Sequence, residues 1–225
     1  MTLDVPAKLA DSFYQGGLDV ALLPVFEVLH HGGGAVADNV AIACEGAVFS
    51  VLVGSRNAAF AECGEIYLDP SSRSSVALLR VLIGEFYPHL RVREGEAPEG
   101  AAHLLIGDPA ITFHRQLRDG WQCHDLGALW QKHTGLPFVF AVWALKKGLS
   151  NEREVAAALR ECKELGMAAR PQIALGEKDP EFARKYLTDF IRYDIGPRER
   201  EAMELFSNLA AKHGLLSEPP VLKFV

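Results

Sequence analysis

Residues 40–53 read VAIACEGAVFSVLV, and this apolar stretch decides the fold. It is long for one strand and carries Gly46 near its middle. A second apolar, β-rich run, PFVFAVWAL, occupies residues 137–145. Long apolar segments of this kind suit strands that pass from one half of a protein to the other. We therefore predict two lobes, with an outgoing crossing at 40–53 and a return at 137–145.

Strands and helices alternate over the first two thirds of the chain. Residues 6–14 predict a short helix stopped by Gly16 and Gly17. The near-continuous apolar run at 19–25 predicts a strand covered on both faces, as in a parallel sheet with helical crossovers. Beyond residue 145 the periodicity is helical only, with predicted helices at 150–165, 179–193 and 197–213.

The chain is therefore predicted to be an α/β protein with a helical C-terminal tail. Residues 1–52 and 142–225 would form the first lobe, and residues 53–141 the second. In such architectures ligands bind in the cleft, at the carboxyl ends of strands and the N-termini of helices.

Composition excludes several classes of protein. The chain has 225 residues, is 49% hydrophobic and carries a formal net charge of −6, which argues against disorder and against a nucleic-acid surface. Its four cysteines, far apart and without C-x-x-C spacing, argue against a metal or redox motif and suit a cytoplasmic protein. No secretory signal is evident, and the longest uncharged apolar run is shorter than the ~20 residues of a membrane helix.

Residues 67–75, YLDPSSRSS, combine a strand end with four serines and an arginine at the start of a helix. Helix N-termini leave N–H groups unpaired and carry partial positive charge, so this turn suits a carboxylate or phosphate. A simple serine cap is the alternative interpretation. Arg73 could likewise bind an anion or be a solvated surface residue.

Three further places could line a cleft. Gly46 would allow a ligand to approach the backbone and Ser50 would offer a hydroxyl, unless they mark a bulge and a serine bonded to its own backbone. Asp108 precedes Pro109 and fits an N-cap better than an acid or base. Pro137 and Phe138 could form an apolar wall or belong to the core.

Five segments in order resemble the chorismate dehydratase family of the futalosine route to menaquinone. They are Gly46, Val48 and Ser50 within 44–53; residues 68–75; LIGDPA at 105–110; DLG at 125–127 with Trp130; and TGLPFVFAVWA at 134–144. The resemblance implies a two-lobed fold similar to type II periplasmic binding proteins. It implies dehydration of chorismate to 3-[(1-carboxyvinyl)oxy]benzoate without a metal or organic cofactor.

The resemblance also implies that the site binds a dicarboxylate, orients it and assists one proton removal. We expect one carboxylate to bind at the turn formed by Ser71, Ser72, Arg73, Ser74 and Ser75. No Ser-His-Asp or Cys-His arrangement is evident, so no catalytic residue is assigned; His133 is the histidine to examine first. The alternatives are the sister family that forms 1,4-dihydroxy-6-naphthoate and a small-anion-binding module. The oligomeric state stays open.

The family pattern opens with a strand and a Ser-Tyr-Leu-Asn loop, whereas residues 1–6 here resemble the family's second strand. The resemblance thus implies that the first βα unit is missing, through an internal start or a real loss. Since a sheet and the cleft would each lose a part, we expect this form to be weakly active or inactive.

Overall fold

The computed structural model describes residues 2–69 and 73–225. In chain order its strands are β1 (Val20–Pro24), β2 (Gly34–Cys44), β3 (Val51–Arg56), β4 (Glu65–Tyr67), β5 (Arg91–Arg93), β6 (Ala102–Ile106), β7 (Trp121–Asp125), β8 (Phe138–Leu145) and β9 (Leu222–Phe224). Its α-helices are α1 (Pro6–Tyr14), α2 (Val25–His30), α3 (Arg73–Phe86), α4 (Asp108–Arg115), α5 (Leu126–Thr134), α6 (Glu152–Leu175), α7 (Pro180–Lys185) and α8 (Pro197–Lys212). A 3-10 turn covers Phe60–Glu62, and a π-helical turn covers Tyr186–Phe190.

These strands form two mixed sheets. The first has the order β1-β8-β2-β9, in which β8 runs antiparallel to both of its neighbours. The second has the order β5-β4-β6-β3-β7, in which β4 is parallel to β5 and β6 while β3 is antiparallel to β6 and β7. The parallel pairing expected for the strand at 19–25 is therefore wrong, although β1 itself is confirmed. An apolar run indicates burial, and it carries no information about strand direction.

The outgoing apolar segment is divided into two strands. β2 ends at Cys44 in the first sheet and β3 begins at Val51 in the second, so residues 45–50 form the link between them. The return is β8, which lies within the first sheet along its whole length. We call residues 45–50 the crossing loop. The lobe boundaries derived from the sequence stay a prediction.

Local signals set several helix ends where the sequence places them. α1 begins at Pro6, whose fixed φ and missing N–H suit the first turn. α5 is capped by Asp125, which accepts the Ala128 N–H at 3.0 Å, and it ends at Gly135 in the left-handed conformation with φ of 72°.

The C-terminal helices depart from the predicted bounds. α6 is longer than predicted and continues through Pro171. The single helix predicted at 179–193 is α7 followed by the π-helical turn, after which Arg192 forms an isolated antiparallel bridge with Ala43. Residues 2–5 form no regular element, so the strand that the resemblance suggests for residues 1–6 is not seen there.

A continuous core packs both sheets against the helices. Its centre contains Trp130 of α5, Phe138 of β8 and Phe206 of α8, whose rings lie 5.1–6.1 Å apart in edge-to-face arrangements. The Trp130 indole N–H donates to the Pro137 carbonyl at 2.9 Å. This packing fixes the beginning of β8 beside α5, and with it the position of the crossing loop that α5 contacts.

Candidate functional site

The crossing loop is held by one carboxylate. Asp125 accepts the backbone N–H of Val48 at 3.0 and 3.1 Å and that of Phe49 at 2.7 Å, while it also caps α5. Burial raises the pKa of Asp125, and the backbone N–H groups that it accepts oppose that rise. The loop is therefore fixed in place by a side chain from β7.

Gly46 has a positive φ of 92°, a conformation that favours glycine. A Cβ there would lie 3.0 Å from the Gln131 side-chain oxygen, and the Gly46 carbonyl accepts the Cys44 thiol at 3.2 Å. Phe49 has a φ of 69°, which is unusual for a residue with a side chain. Two positive-φ residues in one short loop indicate that the backbone here is set by its surroundings.

Ser50 is engaged through both of its oxygens. Its carbonyl accepts the Gly107 N–H at 2.7 Å, and its hydroxyl oxygen accepts the O–H of Tyr186 at 2.9 Å. Tyr186 comes from the π-helical turn, so the C-terminal part of the chain reaches the predicted site. Burial raises the pKa of Tyr186; the hydrogen bond with Ser50 opposes this rise, and the charges of Asp108 and Asp125 add to it.

Asp108 occupies the first turn of α4, and Gly107 with a φ of 67° is the N-cap. The predicted cap position of Asp108 is therefore wrong, because the helix begins one residue earlier than expected and Asp108 is its first residue. The side chain is exposed, close enough to Tyr186 to influence its pKa. It also borders a cavity of about 590 Å³, whose other lining residues include Leu105, Thr112 and Trp121.

Aromatic side chains gather around Phe49. Its ring lies 3.9 Å from that of His114, 5.3 Å from that of Phe182 and 5.1 Å from that of Phe190, measured between centroids. Arg115 lies over the Phe182 ring at 4.7 Å. We call Phe49, His114, Phe182 and Phe190 the aromatic cluster. It connects the crossing loop, α4 and the segment that carries Tyr186.

The serine turn is described from Arg73 onward, and Ser71 and Ser72 lie outside the described residues. The Arg73 guanidinium pairs with Glu27 at 2.6 Å and approaches Asp11 at 3.6 Å. Ser74 is buried, and its hydroxyl oxygen accepts the Phe26 N–H at 3.0 Å; Ser75 is buried as well. Arg73 thus already has acidic partners, so a ligand would meet it as half of an ion pair.

The remaining predicted residues have other surroundings. Phe138 is only 2% exposed and packs in the core, and Pro137 is buried beside Trp130, which supports the core interpretation of both. His133 stacks on Phe86 at 4.2 Å and bonds the Tyr87 hydroxyl at 2.8 Å. Burial and Lys132 lower the pKa of His133, so this histidine is a packed, neutral ring at neutral pH.

Sequence reasoning missed Tyr186 and Glu27 as members of these groups. Tyr186 lies 136 residues from Ser50, and Glu27 lies 46 residues from Arg73. Nothing local marks either residue, whereas Asp125 was visible as a helix cap. Within residues 2–69 and 73–225, no group of three His, Cys, Asp or Glu side chains could hold a metal ion. None of the helices described there is long and apolar enough to cross a membrane.

Comparisons with known proteins agree with the fold and the family suggested by the sequence. A family model described as menaquinone biosynthesis matches residues 1–212. The chorismate dehydratase of Thermus thermophilus is 29% identical over 228 residues, covering 90% of this chain and 83% of the relative. That of Campylobacter jejuni is 28% identical over 204 residues, covering 90% of this chain and 79% of the relative.

Two solved structures confirm the expected fold class. Protein AF1704 from Archaeoglobus fulgidus superposes with a TM-score of 0.69 at 17% identity, covering 96% of this chain and 86% of that one. The periplasmic aliphatic sulphonate binding protein SsuA from Escherichia coli gives a TM-score of 0.57 at 11% identity, with coverages of 96% and 82%. At these identities the likeness concerns the fold alone.

Proposed function

Because the chain belongs to the menaquinone biosynthesis family, we propose that it is a lyase that dehydrates chorismate to 3-[(1-carboxyvinyl)oxy]benzoate. The observation that carries the proposal is the alignment of two curated chorismate dehydratases with 90% of this chain. The four cysteines are free, which suits the reducing conditions of a cytoplasm, and we place the protein there.

The dehydration requires few chemical steps from the protein. A ring carbon loses a proton, the neighbouring carbon loses its hydroxyl group, water forms and the ring becomes aromatic. The protein has to bind two carboxylates, orient the ring and assist one proton removal. Hydroxyl and backbone N–H donors are sufficient for the first task, and a hydrogen bond to a charged group contributes about 1.5–3 kcal/mol.

Two places in the fold, the crossing loop and the start of α3, offer donors that such a ligand would use. Ser50 and Tyr186 supply a pair of hydroxyl groups, and Ser74 supplies another at the start of α3. The charge of Arg73 is balanced by Glu27 and Asp11, so we expect the second carboxylate to bind mainly through the hydroxyl and N–H groups of the helix start. The aromatic cluster offers apolar surface for the ring.

The sister activity, formation of 1,4-dihydroxy-6-naphthoate, is not favoured, since both curated relatives carry the name chorismate dehydratase. A module that binds a small anion without converting it is the remaining alternative. The sulphonate-binding neighbour has the same fold, and at 11% identity this likeness does not extend to function.

The direct test is incubation of the purified protein with chorismate. We expect an aromatic product that forms slowly, detected by its absorbance and by a mass lower than that of the substrate by one water. Heat-denatured protein controls for the spontaneous decay of chorismate. Saturable binding without product would replace the enzyme by the anion-binding module, and absence of both would refute the proposal.

A further inference from the structure

The hydroxyl groups of Tyr186 and Ser50 form a hydrogen-bonded pair in which the Ser50 O–H is still available to donate. Tyr186 donates its proton to the Ser50 hydroxyl oxygen at 2.9 Å. The Ser50 carbonyl accepts the Gly107 N–H at 2.7 Å, and Ser50 as a residue is only 7% exposed. A serine that accepts one bond in this way has its own O–H left to donate. Two hydroxyls in sequence also polarise one another, which strengthens the terminal donor.

The segment that carries Tyr186 is only partly buried. Neither α7 nor the π-helical turn contains a buried residue. Phe182 and Phe190 touch the ring of Phe49, and an ion pair joins Arg115 to Asp179. A segment without fully buried residues is expected to have lower local stability than the core. π-Helical turns occur frequently at functional sites.

Tyr186 keeps its proton at neutral pH. Burial raises its pKa above the ordinary value of 10.0, Asp108 on α4 and Asp125 on β7 raise it further, and the hydrogen bond with Ser50 opposes part of this rise. Tyr186 therefore stays a donor through the neutral range. It cannot supply negative charge that would repel a dicarboxylate.

We propose that Tyr186 is a positioning residue that acts through Ser50, an inference that rests on the proposed function. By occupying the acceptor side of the serine hydroxyl, Tyr186 directs the Ser50 proton at a carboxylate oxygen of the substrate. The competing explanation is that the tyrosine hydroxyl only anchors the segment 180–190 to the crossing loop. The two explanations differ in whether the effect of the tyrosine hydroxyl on ligand binding requires Ser50.

The experiment compares wild type with Tyr186→Phe, Ser50→Ala and the double variant. Tyr193→Phe is the matched control, because its O–H donates at 3.3 Å to the Leu187 carbonyl in the same π-helical turn. Two readouts are used: the KM and kcat for chorismate, and the Kd of the stable dicarboxylate 3-(carboxymethoxy)benzoate by calorimetry. Urea unfolding of each variant records stability separately.

We expect Tyr186→Phe to raise KM and Kd by about 3- to 10-fold and Ser50→Ala by roughly 10-fold or more, the range of one hydrogen bond in each case. In the Ser50→Ala background, adding Tyr186→Phe should change Kd by less than about 2-fold, since coupled groups are not additive. Tyr193→Phe should stay within about 2-fold of wild type. The ratio of wild-type to Tyr186→Phe affinity should be constant from pH 6 to 9 because Tyr186 does not titrate there.

Each result decides between the explanations. An unchanged Kd in Tyr186→Phe overturns the inference, as does an equal loss from Tyr186→Phe with and without Ser50. If the wild type binds 3-(carboxymethoxy)benzoate but does not convert chorismate, the proposed function fails and the binding data still judge the hydroxyl pair. If the wild type binds neither compound, both proposals are refuted.

Discussion

The carboxylate of Asp125 accepts the backbone N–H of Phe49 at 2.7 Å, although 76 residues separate the two in sequence. Asp125→Ala would leave three backbone N–H groups without their acceptor: those of Phe49 and Val48, and that of Ala128, which forms the α5 cap. We expect the free energy of unfolding to fall by about 3–4 kcal/mol, since each unsatisfied buried donor costs roughly 1–3 kcal/mol. Asp125→Asn keeps one oxygen and should lose about half as much. If urea unfolding gives equal losses for Asp125→Ala and Asp125→Asn, the oxygen kept by asparagine does not hold the backbone N–H groups, which contradicts this prediction.

The raised pKa of Asp125 makes its contribution to the free energy of unfolding depend on pH. The folded protein holds this proton more tightly than the unfolded chain, in which the pKa of Asp125 is near the ordinary value of 3.8. The contribution of Asp125 to stability is therefore complete below that value and declines as the pH rises through the folded pKa. We expect the stability advantage of wild type over Asp125→Asn to be larger at pH 4 than at pH 7. Urea unfolding of both proteins at the two pH values measures it, and a larger advantage at pH 7 would contradict the raised pKa.

The ion pair between Glu27 and Arg73 is unequally exposed, at 1% and 43% of the side chains. Arg73→Met would leave a buried carboxylate without its partner. Removal of one member of a fully buried pair costs about 3–5 kcal/mol, and because Arg73 is partly exposed we expect a loss near the lower end of that range. Glu27→Gln would leave an arginine that water can reach, so we expect a loss of only about 1–2 kcal/mol. Chemical denaturation of the two variants measures the difference. A smaller loss for Arg73→Met than for Glu27→Gln would contradict the prediction and would show that water solvates the Glu27 carboxylate once the arginine is removed.

Gly127 lies where α5 meets the crossing loop. A Cβ at this position would be 2.5 Å from the Gly46 carbonyl oxygen and 2.6 Å from the Cys44 sulfur. We expect Gly127→Ala to destabilise the protein by roughly 2–3 kcal/mol through overpacking. Gly166 in α6 has no atom within 4 Å of such a Cβ, so Gly166→Ala should stabilise by about 0.5–1 kcal/mol. Thermal and urea unfolding measure the two changes in stability. If Gly127→Ala is not destabilising, the crossing loop moves away from the added Cβ and the overpacking argument is wrong.

Phe49 combines a φ of 69° with ring contacts in the aromatic cluster. Phe49→Ala and Phe49→Gly lose the same ring, but only glycine relieves the backbone strain. We therefore expect Phe49→Gly to be the more stable of the two by about 0.5–1 kcal/mol, the reverse of the usual order. Phe182 in α7 provides the control, because there glycine should be worse than alanine by about 1 kcal/mol. If alanine is better at both positions, the strain at Phe49 contributes nothing measurable.

Local chemistry determined much of this protein from its sequence. Pro6, the Asp125 cap and the Gly135 stop set helix ends because each acts on backbone groups within a few residues. Apolar runs located β1 and β8 because burial is encoded residue by residue. The ordered motifs pointed to the family that the comparisons then showed over residues 1–212.

The tertiary structure alone decided which of these residues meet. The direction of β8, the division of the outgoing segment at 45–50 and the burial of Phe138 depend on packing between distant parts of the chain. The same holds for the pairs Ser50 with Tyr186 and Arg73 with Glu27, whose members are 136 and 46 residues apart. A local sequence pattern indicates which groups a side chain can bind. The partner that it meets is decided by folding, because these contacts join residues far apart in the sequence.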